Sequence, residues 1–280
     1  MLVFKTKKEL LDYILTLPKK NKLGLVPTMG ALHTGHVSLV QKAIDENETV
    51  VVSIFVNPTQ FDNKEDLAKY PHTLDADLEL LSNVSEDILV FSPSAKEVYG
   101  SKIKAKKYDF EGLDTVMEGA FRDDHFNGVG TIVEALLLLV KPDRAYFGEK
   151  DFQQLQIIRK LVKQQEIPVE IVGCAIVREP HGLAMSSRNE RLSKPLRQKA
   201  SFIYRTLLAA KEKFGTENAN SVLNWIKEQF KEEEGLELEY VEITDAETLN
   251  PITTKNEKLK YRAFIAVYAD GVRLIDNIAL

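Results

Sequence analysis

The apolar positions of this chain fall into two textures. Over the first two thirds, short runs that are apolar almost throughout alternate with longer stretches of helical period. Leu23–Val26, Val50–Val56, Ile88–Phe91, Arg144–Phe147 and Val169–Val172 read as strands. His36–Glu48, Glu65–Leu81, Gly128–Leu139 and Phe152–Gln165 read as helices between them. A strand such as Val50–Val56, with no polar face, fits a sheet covered on both sides. The alternation predicts an α/β fold with a doubly wound, Rossmann-like parallel sheet. After about Arg188 the texture changes. Pro195–Phe214 and Asn218–Glu232 read as helices rich in lysine and glutamate, followed by strands at Leu236–Ile243, Arg262–Tyr268 and Val272–Asp276. The expected organisation is a first domain over residues 1–176 and a smaller α+β C-terminal domain over 177–280.

Composition narrows this picture a little. With 280 residues and a formal net charge of −5, a general nucleic-acid-binding surface is not favoured. Cys174 is the only cysteine, so no intrachain disulfide forms, which fits a reducing compartment. Met1–Lys8 lacks a signal-peptide core, and the apolar run Ala135–Val140 is too short to cross a membrane. A soluble, cytoplasmic chain with no membrane partner is expected.

The chemistry concentrates after the first apolar strand, in Pro27-Thr28-Met29-Gly30-Ala31-Leu32-His33-Thr34-Gly35-His36. A strand, a glycine-containing turn and a helix start follow one another there. A helix N-terminus offers unpaired N–H groups and the positive end of a dipole, which suits phosphate. Two histidines at that position can donate to phosphoryl oxygens as charge shifts. His-x-x-His also suits zinc. However, no cysteine or carboxylate lies within ten residues before the pair or eight after it. By itself the turn allows a metal site, a plain α/β junction or a nucleotide enzyme. In a doubly wound sheet, ligands bind beyond the carboxyl ends of the strands. The loops Asn57-Pro58-Thr59-Gln60 and Gly148-Glu149-Lys150-Asp151 also follow strands, so they are expected beside the histidine turn.

Two further segments add to the set. Lys150 can neutralise a phosphate, while Asp151 has the simpler reading of a helix cap. Gln154 lies one helical turn on. Met185-Ser186-Ser187-Arg188-Asn189 places two hydroxyls beside an arginine, a compact anion-binding group or an ordinary polar loop. A His-x-Gly-His turn with a distal Met-Ser-Ser-Arg loop resembles the paired motifs of the nucleotidyltransferase superfamily. Pro27–His36, Phe55–Phe61, Tyr146–Gln154 and Leu183–Asn189, in this order, resemble more narrowly the pantoate–β-alanine ligase family.

That resemblance implies an ATP- and Mg²⁺-dependent ligation of pantoate to β-alanine, through pantoyl adenylate, by a homodimer. ATP would be lined by Met29, Gly30, Ala31, Leu32, His33, Thr34, Gly35 and His36, and by Gly148, Glu149, Lys150 and Asp151. His33, His36 and Lys150 would be catalytic, with His36 the proton donor. Val177 would meet adenine through its backbone. Met185, Ser186, Ser187 and Arg188 would close over the triphosphate, the C-terminal domain acting as a lid. Gln60 and Gln154 would hold pantoate, with Asn57 lining the same site and Gln60 also near β-alanine. Asp77 would stand near magnesium, or simply on a solvated helix face. Tyr70, Glu118 and Arg122 match family positions beside the site, and the last two can also brace a helix.

The chain departs from the pattern at His72, where arginine is usual, and at Asp123-Asp124, where proline and glycine are usual. Two rival readings are a nucleotidyltransferase acting on another small acceptor and a non-catalytic nucleotide-binding module. The amide set Asn57, Gln60 and Gln154 argues against the first. The intact histidine pair and the acidic balance argue against the second.

Overall fold

The computed structural model describes residues 1–62 and 64–280. The strands are β1 (Leu2–Phe4), β2 (Leu23–Thr28), β3 (Thr49–Ile54), β4 (Leu89–Phe91), β5 (Arg144–Gly148), β6 (Glu170–Cys174), β7 (Glu237–Asp245), β8 (Tyr261–Ala269) and β9 (Val272–Ala279). The helices are α1 (Lys7–Ile14), α2 (Thr34–Glu46), α3 (Lys64–Lys69), α4 (Leu74–Ser82), α5 (Ala95–Tyr99), α6 (Glu118–Phe121), α7 (His125–Val140), α8 (Phe152–Gln164), α9 (Lys194–Lys199), α10 (Ser201–Thr216) and α11 (Ala219–Lys231).

Strands β1 to β6 form one parallel sheet in the order β1-β4-β3-β2-β5-β6. All six residues of β3 are buried, as a strand covered on both faces requires. Val26, Val40, Val52, Leu81, Val90 and Tyr146 belong to the core on one side of it. The order reverses at β2, which lies between β3 and β5. The loops leaving these three adjacent strands therefore emerge side by side at the switch point, where such sheets bind ligands.

Strands β7, β8 and β9 form a separate antiparallel sheet with β8 in the centre. Its core joins Ile243, Ile265, Val267 and Leu274 to Ile203, Leu207, Val222, Ile226 and Phe230 of α10 and α11. The chain divides into two compact units, Met1–Glu149 with Gln154–Ala175, and Lys150–Gln153 with Ile176–Leu280. The four-residue strip joins the second unit because Phe152 packs on Phe264, ring centroids 6.0 Å apart, under the Arg262 guanidinium at 3.9 Å.

The α/β fold class stands, with differences of detail: β1, α1, α5 and α6 lie outside the expected elements, and two expected helices are divided. The single helix expected over Glu65–Leu81 is two, α3 and α4, because Pro71 keeps Tyr70 out of helical geometry. Pro195–Phe214 likewise divides at Ala200 into α9 and α10. Among the described residues no helix is long and apolar enough to cross a membrane.

Candidate active site

Strand β2 ends at Thr28, and the chain then turns through Gly30 (φ +80°) and Ala31 (φ +50°) to reach His33, the N-cap of α2. Both φ values are left-handed. At Gly30 a Cβ would also come within 3.0 Å of Asp77 Oδ2, so glycine is required twice over. Ala31 is held in its strained conformation by Asp77. The Ala31 amide donates to Asp77 Oδ2 at 3.0 Å and the Leu32 amide to Oδ1 at 2.7 Å. Thr73 Oγ1 donates to the same carboxylate at 3.3 Å. Asp77 is buried on α4, not on a solvated face.

The two histidines cap each other's backbone. The Gly35 amide donates to His33 Nδ1 at 3.1 Å, and the His33 amide donates to His36 Nδ1 at 3.3 Å. The ring centroids are 4.1 Å apart. An Nδ1 that accepts a hydrogen bond carries no proton, so the neutral rings are both Nε2–H tautomers. This corrects the expectation of vacant amides at the helix start. The amides of Ala31 and Leu32 already donate to Asp77 of α4, and those of His33 and Gly35 donate to the two imidazoles. Donation to a ligand oxygen passes to the Nε2–H corners of the imidazoles.

The loop after β3 carries the two expected amides. Asn57 caps the short turn Pro58–Gln60 and is 1% exposed. Its Oδ1 accepts from Thr59 Oγ1 at 3.0 Å and from the Tyr99 hydroxyl. Its Nδ2 donates to Gln60 Oε1 at 3.0 Å and to the Gly128 carbonyl at 3.1 Å. Gln60 Nε2 lies 3.0 Å from Met29 Sδ, which joins this loop to the histidine turn. Burial pushes the Tyr99 hydroxyl above its ordinary pKa, against a weaker pull from Thr59, so it stays a donor. Gln154 stands half-buried on the first turn of α8. Glu118 and Arg122 form an ion pair at 3.7 Å, and Tyr70 packs edge-on against Phe61.

In the second unit, Lys150 Nζ lies 3.3 Å from both Asp151 carboxylate oxygens, and its carbonyl accepts from Asn277 Nδ2 at 2.9 Å. The Val177 carbonyl accepts from the Met185 amide at 2.9 Å. Ser186 Oγ accepts from the Arg188 amide at 3.3 Å and caps the turn Ser187–Arg191. Behind that turn, Asn189 Nδ2 donates to Glu179 Oε1 at 2.7 Å and to the Ala184 carbonyl at 3.0 Å. Arg197 Nε donates to both Glu179 oxygens, at 3.0 and 2.9 Å. Burial alone would raise the Glu179 pKa, but the donors Arg197 and Asn189 outweigh it and the net shift is downward. Next to Val177, Arg178 makes a two-pronged pair with Asp276 at 2.6 and 2.9 Å and lies 3.5 Å above the Tyr204 ring.

The motifs do not point to Tyr99, Gly128, Glu179 or Asn277. Tyr99, Gly128 and Asn277 reach their motifs from segments far along the chain, and Glu179 reaches Asn189 across a loop of ten positions, so no local spacing marks them. The acidic segment does mark Asp77, but not its use. Both carboxylate oxygens serve backbone amides. Among the described residues no group of three or more His, Cys, Asp or Glu side chains could hold a metal ion.

These arrangements now stand beside known proteins. A family model described as pantoate-beta-alanine ligase matches residues 2–279. The chain belongs to that family. A protein named pantothenate synthetase from Christiangramia forsetii is 58% identical, over 100% of this chain and 99% of the relative. One of the same name from Flavobacterium psychrophilum is 50% identical over 100% of both. The crystal structure of pantothenate synthetase from Thermus thermophilus superposes with a TM-score of 0.90 at 41% identity, covering 99% of each chain. That of the pantoate-beta-alanine ligase from Francisella tularensis, complexed with beta-gamma ATP and beta-alanine, gives 0.80 at 37% identity, covering 100% of this chain and 97% of that one. The chain is thus an ATP-using ligase of this family.

Proposed function

We propose that this chain joins pantoate to β-alanine in two steps on one set of side chains. In the first, the pantoate carboxylate attacks the α-phosphate of ATP, forming pantoyl adenylate and releasing pyrophosphate. In the second, the amine of β-alanine attacks the activated carbonyl and AMP leaves. The observation that carries this reading is the tautomer of the histidine pair. Two Nε2–H donors fixed side by side suit the oxygens of a reacting phosphoryl group, on which negative charge grows. His36 serves as the donor and His33 as its partner in holding charge.

Neutral amides suit pantoate. Gln60 and Gln154 can bind its hydroxyls and orient the carboxylate without a buried cation to quench the nucleophile, while Asn57, its amide fully engaged, lines the site and holds Gln60. Lys150, Ser186, Ser187 and Arg188 suit the triphosphate, whose leaving pyrophosphate gathers charge. The Val177 backbone suits the adenine edge, with Gly148, Glu149 and Asp151 on the ribose side. No enzyme nucleophile is needed. The residues described do not build a magnesium cage, since Asp77 is committed to the histidine turn. An ion accompanying ATP would take phosphate and water oxygens as ligands.

The test is pantoate-dependent release of pyrophosphate from ATP without β-alanine, followed by AMP and pantothenate once β-alanine is added. Release that is indifferent to pantoate, or absent, overturns the reading. Release driven by another small acid in its place supports the rival nucleotidyltransferase reading.

A further inference from the structure

We propose that His125 is a positioning residue, which sets the Asn57–Gln60 turn through a single defined tautomer. The inference rests on the assignment of that turn to pantoate. His125 opens α7 and is buried. Its Nε2 lies 3.1 Å from Arg122 Nη1, and its Nδ1 lies 2.8 Å from the Gln60 carbonyl oxygen. A guanidinium has only donors, so Nε2 accepts. The ring proton therefore sits on Nδ1, where it is donated to Gln60. Arg122 is itself oriented by Glu118 at 3.7 Å. The order Glu118, Arg122, His125, Gln60 is thus a relay of orientation that ends on the backbone of a substrate-facing residue.

The same helix grips the turn a second time. Asn57 Nδ2 donates to the Gly128 carbonyl at 3.1 Å. A Cβ at Gly128 would stand 2.2 Å from the Thr59 carbonyl oxygen, so the α7 backbone lies directly against the turn. The turn that carries Gln60 is fixed from α7 at both ends, by Gly128 at Asn57 and by His125 at Gln60. Displacement of such a turn by a fraction of an ångström changes how a small hydroxy acid is held, with little effect on a nucleotide bound elsewhere.

Steady-state kinetics on the full chain test the inference. In His125→Gln the amide reaches the Nε2 position but leaves Gln60 without its donor. The KM for pantoate is expected to rise about tenfold, with kcat and the KM for ATP within about twofold of the parent. In His125→Asn the Nδ2 group stands where Nδ1 stood, and the pantoate KM is expected to return to within about threefold. Equal values in the two variants overturn the donor assignment, as does an equal rise in the KM for ATP. Arg122→Met keeps the ring but frees its tautomer. A rise of about two- to threefold in pantoate KM is expected, and no rise overturns the tautomer. Gln60→Ala, run in parallel, separates this inference from the reading beneath it. If it leaves the pantoate KM unchanged, the turn does not hold pantoate and both fall. If it raises the KM while His125→Gln does not, only the role of His125 falls.

Discussion

A buried carboxylate stands behind the histidine turn and another behind the serine–arginine loop, and the two are used in opposite ways. Asp77 accepts the Ala31 and Leu32 amides, so it holds the histidine turn by its backbone. Glu179 accepts Asn189 Nδ2 and the Arg197 guanidinium, so it holds the serine–arginine loop by side chains. The first arrangement fixes a strained left-handed turn and leaves the imidazoles as donors. The second is an ion pair one step removed from Ser186, Ser187 and Arg188. A motif held by its backbone should lose chemistry when disturbed, and a motif braced by side chains should lose stability first.

The largest effect is expected at the imidazole. His36→Ala removes both the proposed proton donor and the acceptor of the His33 amide. Pantoate-dependent pyrophosphate release should fall about 10²- to 10⁴-fold while the far-ultraviolet circular dichroism stays unchanged. Turnover near that of the parent would remove His36 from its role. Next comes Asp77→Ala, which leaves two turn amides unpaired. A loss of about 2–4 kcal/mol in denaturant unfolding is expected, together with a drop in kcat larger than any change in the KM for ATP. A stable variant with full kcat would show that the turn is not held from behind, and the contrast with Glu179 would vanish.

Glu179→Gln should cost less, about 1–3 kcal/mol, with activity largely kept at saturating ATP. The sign of its pH dependence follows from the lowered pKa. A depressed carboxylate contributes stability above its ordinary value of 4.5, and this is lost as pH falls through the folded-state value. Melting curves of the parent should therefore fall more steeply on acidification than those of the glutamine variant. Parallel curves would show that Glu179 is not the titrating brace. The smallest change concerns Asp124, at φ +59°, where the family usually carries glycine. Its carboxylate pairs with Lys107 and accepts from Asn127 Nδ2 at 2.9 Å. Asp124→Gly relieves strain and loses these contacts, so melting should stay within about 1 kcal/mol of the parent. A larger loss would make this exposed turn a third held motif.

Much of this molecule is legible in its residues. The near-continuous apolar run at Val50–Val56 marks a central parallel strand, and the order of strands and helices marks the sheet around it. Strand β1 is not legible, because three edge residues, two of them exposed, carry no period. The break between α3 and α4 is written in Pro71, but helical periodicity on both sides conceals it. The motifs themselves mark the histidine turn, the amide loop and the serine–arginine loop as candidates for chemistry. They do not show that the Ala31 and Leu32 amides leading into α2 are already engaged, because their acceptor is Asp77, more than forty positions away. Nor do they show His125, whose partner Gln60 lies sixty-five positions earlier. Spacing reports neighbours along one element, and these residues act across elements.

The mutual capping of His33 and His36 also bears on which ions this surface admits. A histidine that ligates zinc or copper through Nε2 must move its proton to Nδ1. Here a backbone N–H already points at each Nδ1. Capture of a transition metal would set two donors against each other at both rings, and would dismantle the first turn of α2 to relieve them. A His-x-x-His pair placed elsewhere would be open to adventitious metal. In this setting the turn that fixes both rings as Nε2–H donors also disfavours capture of a transition metal.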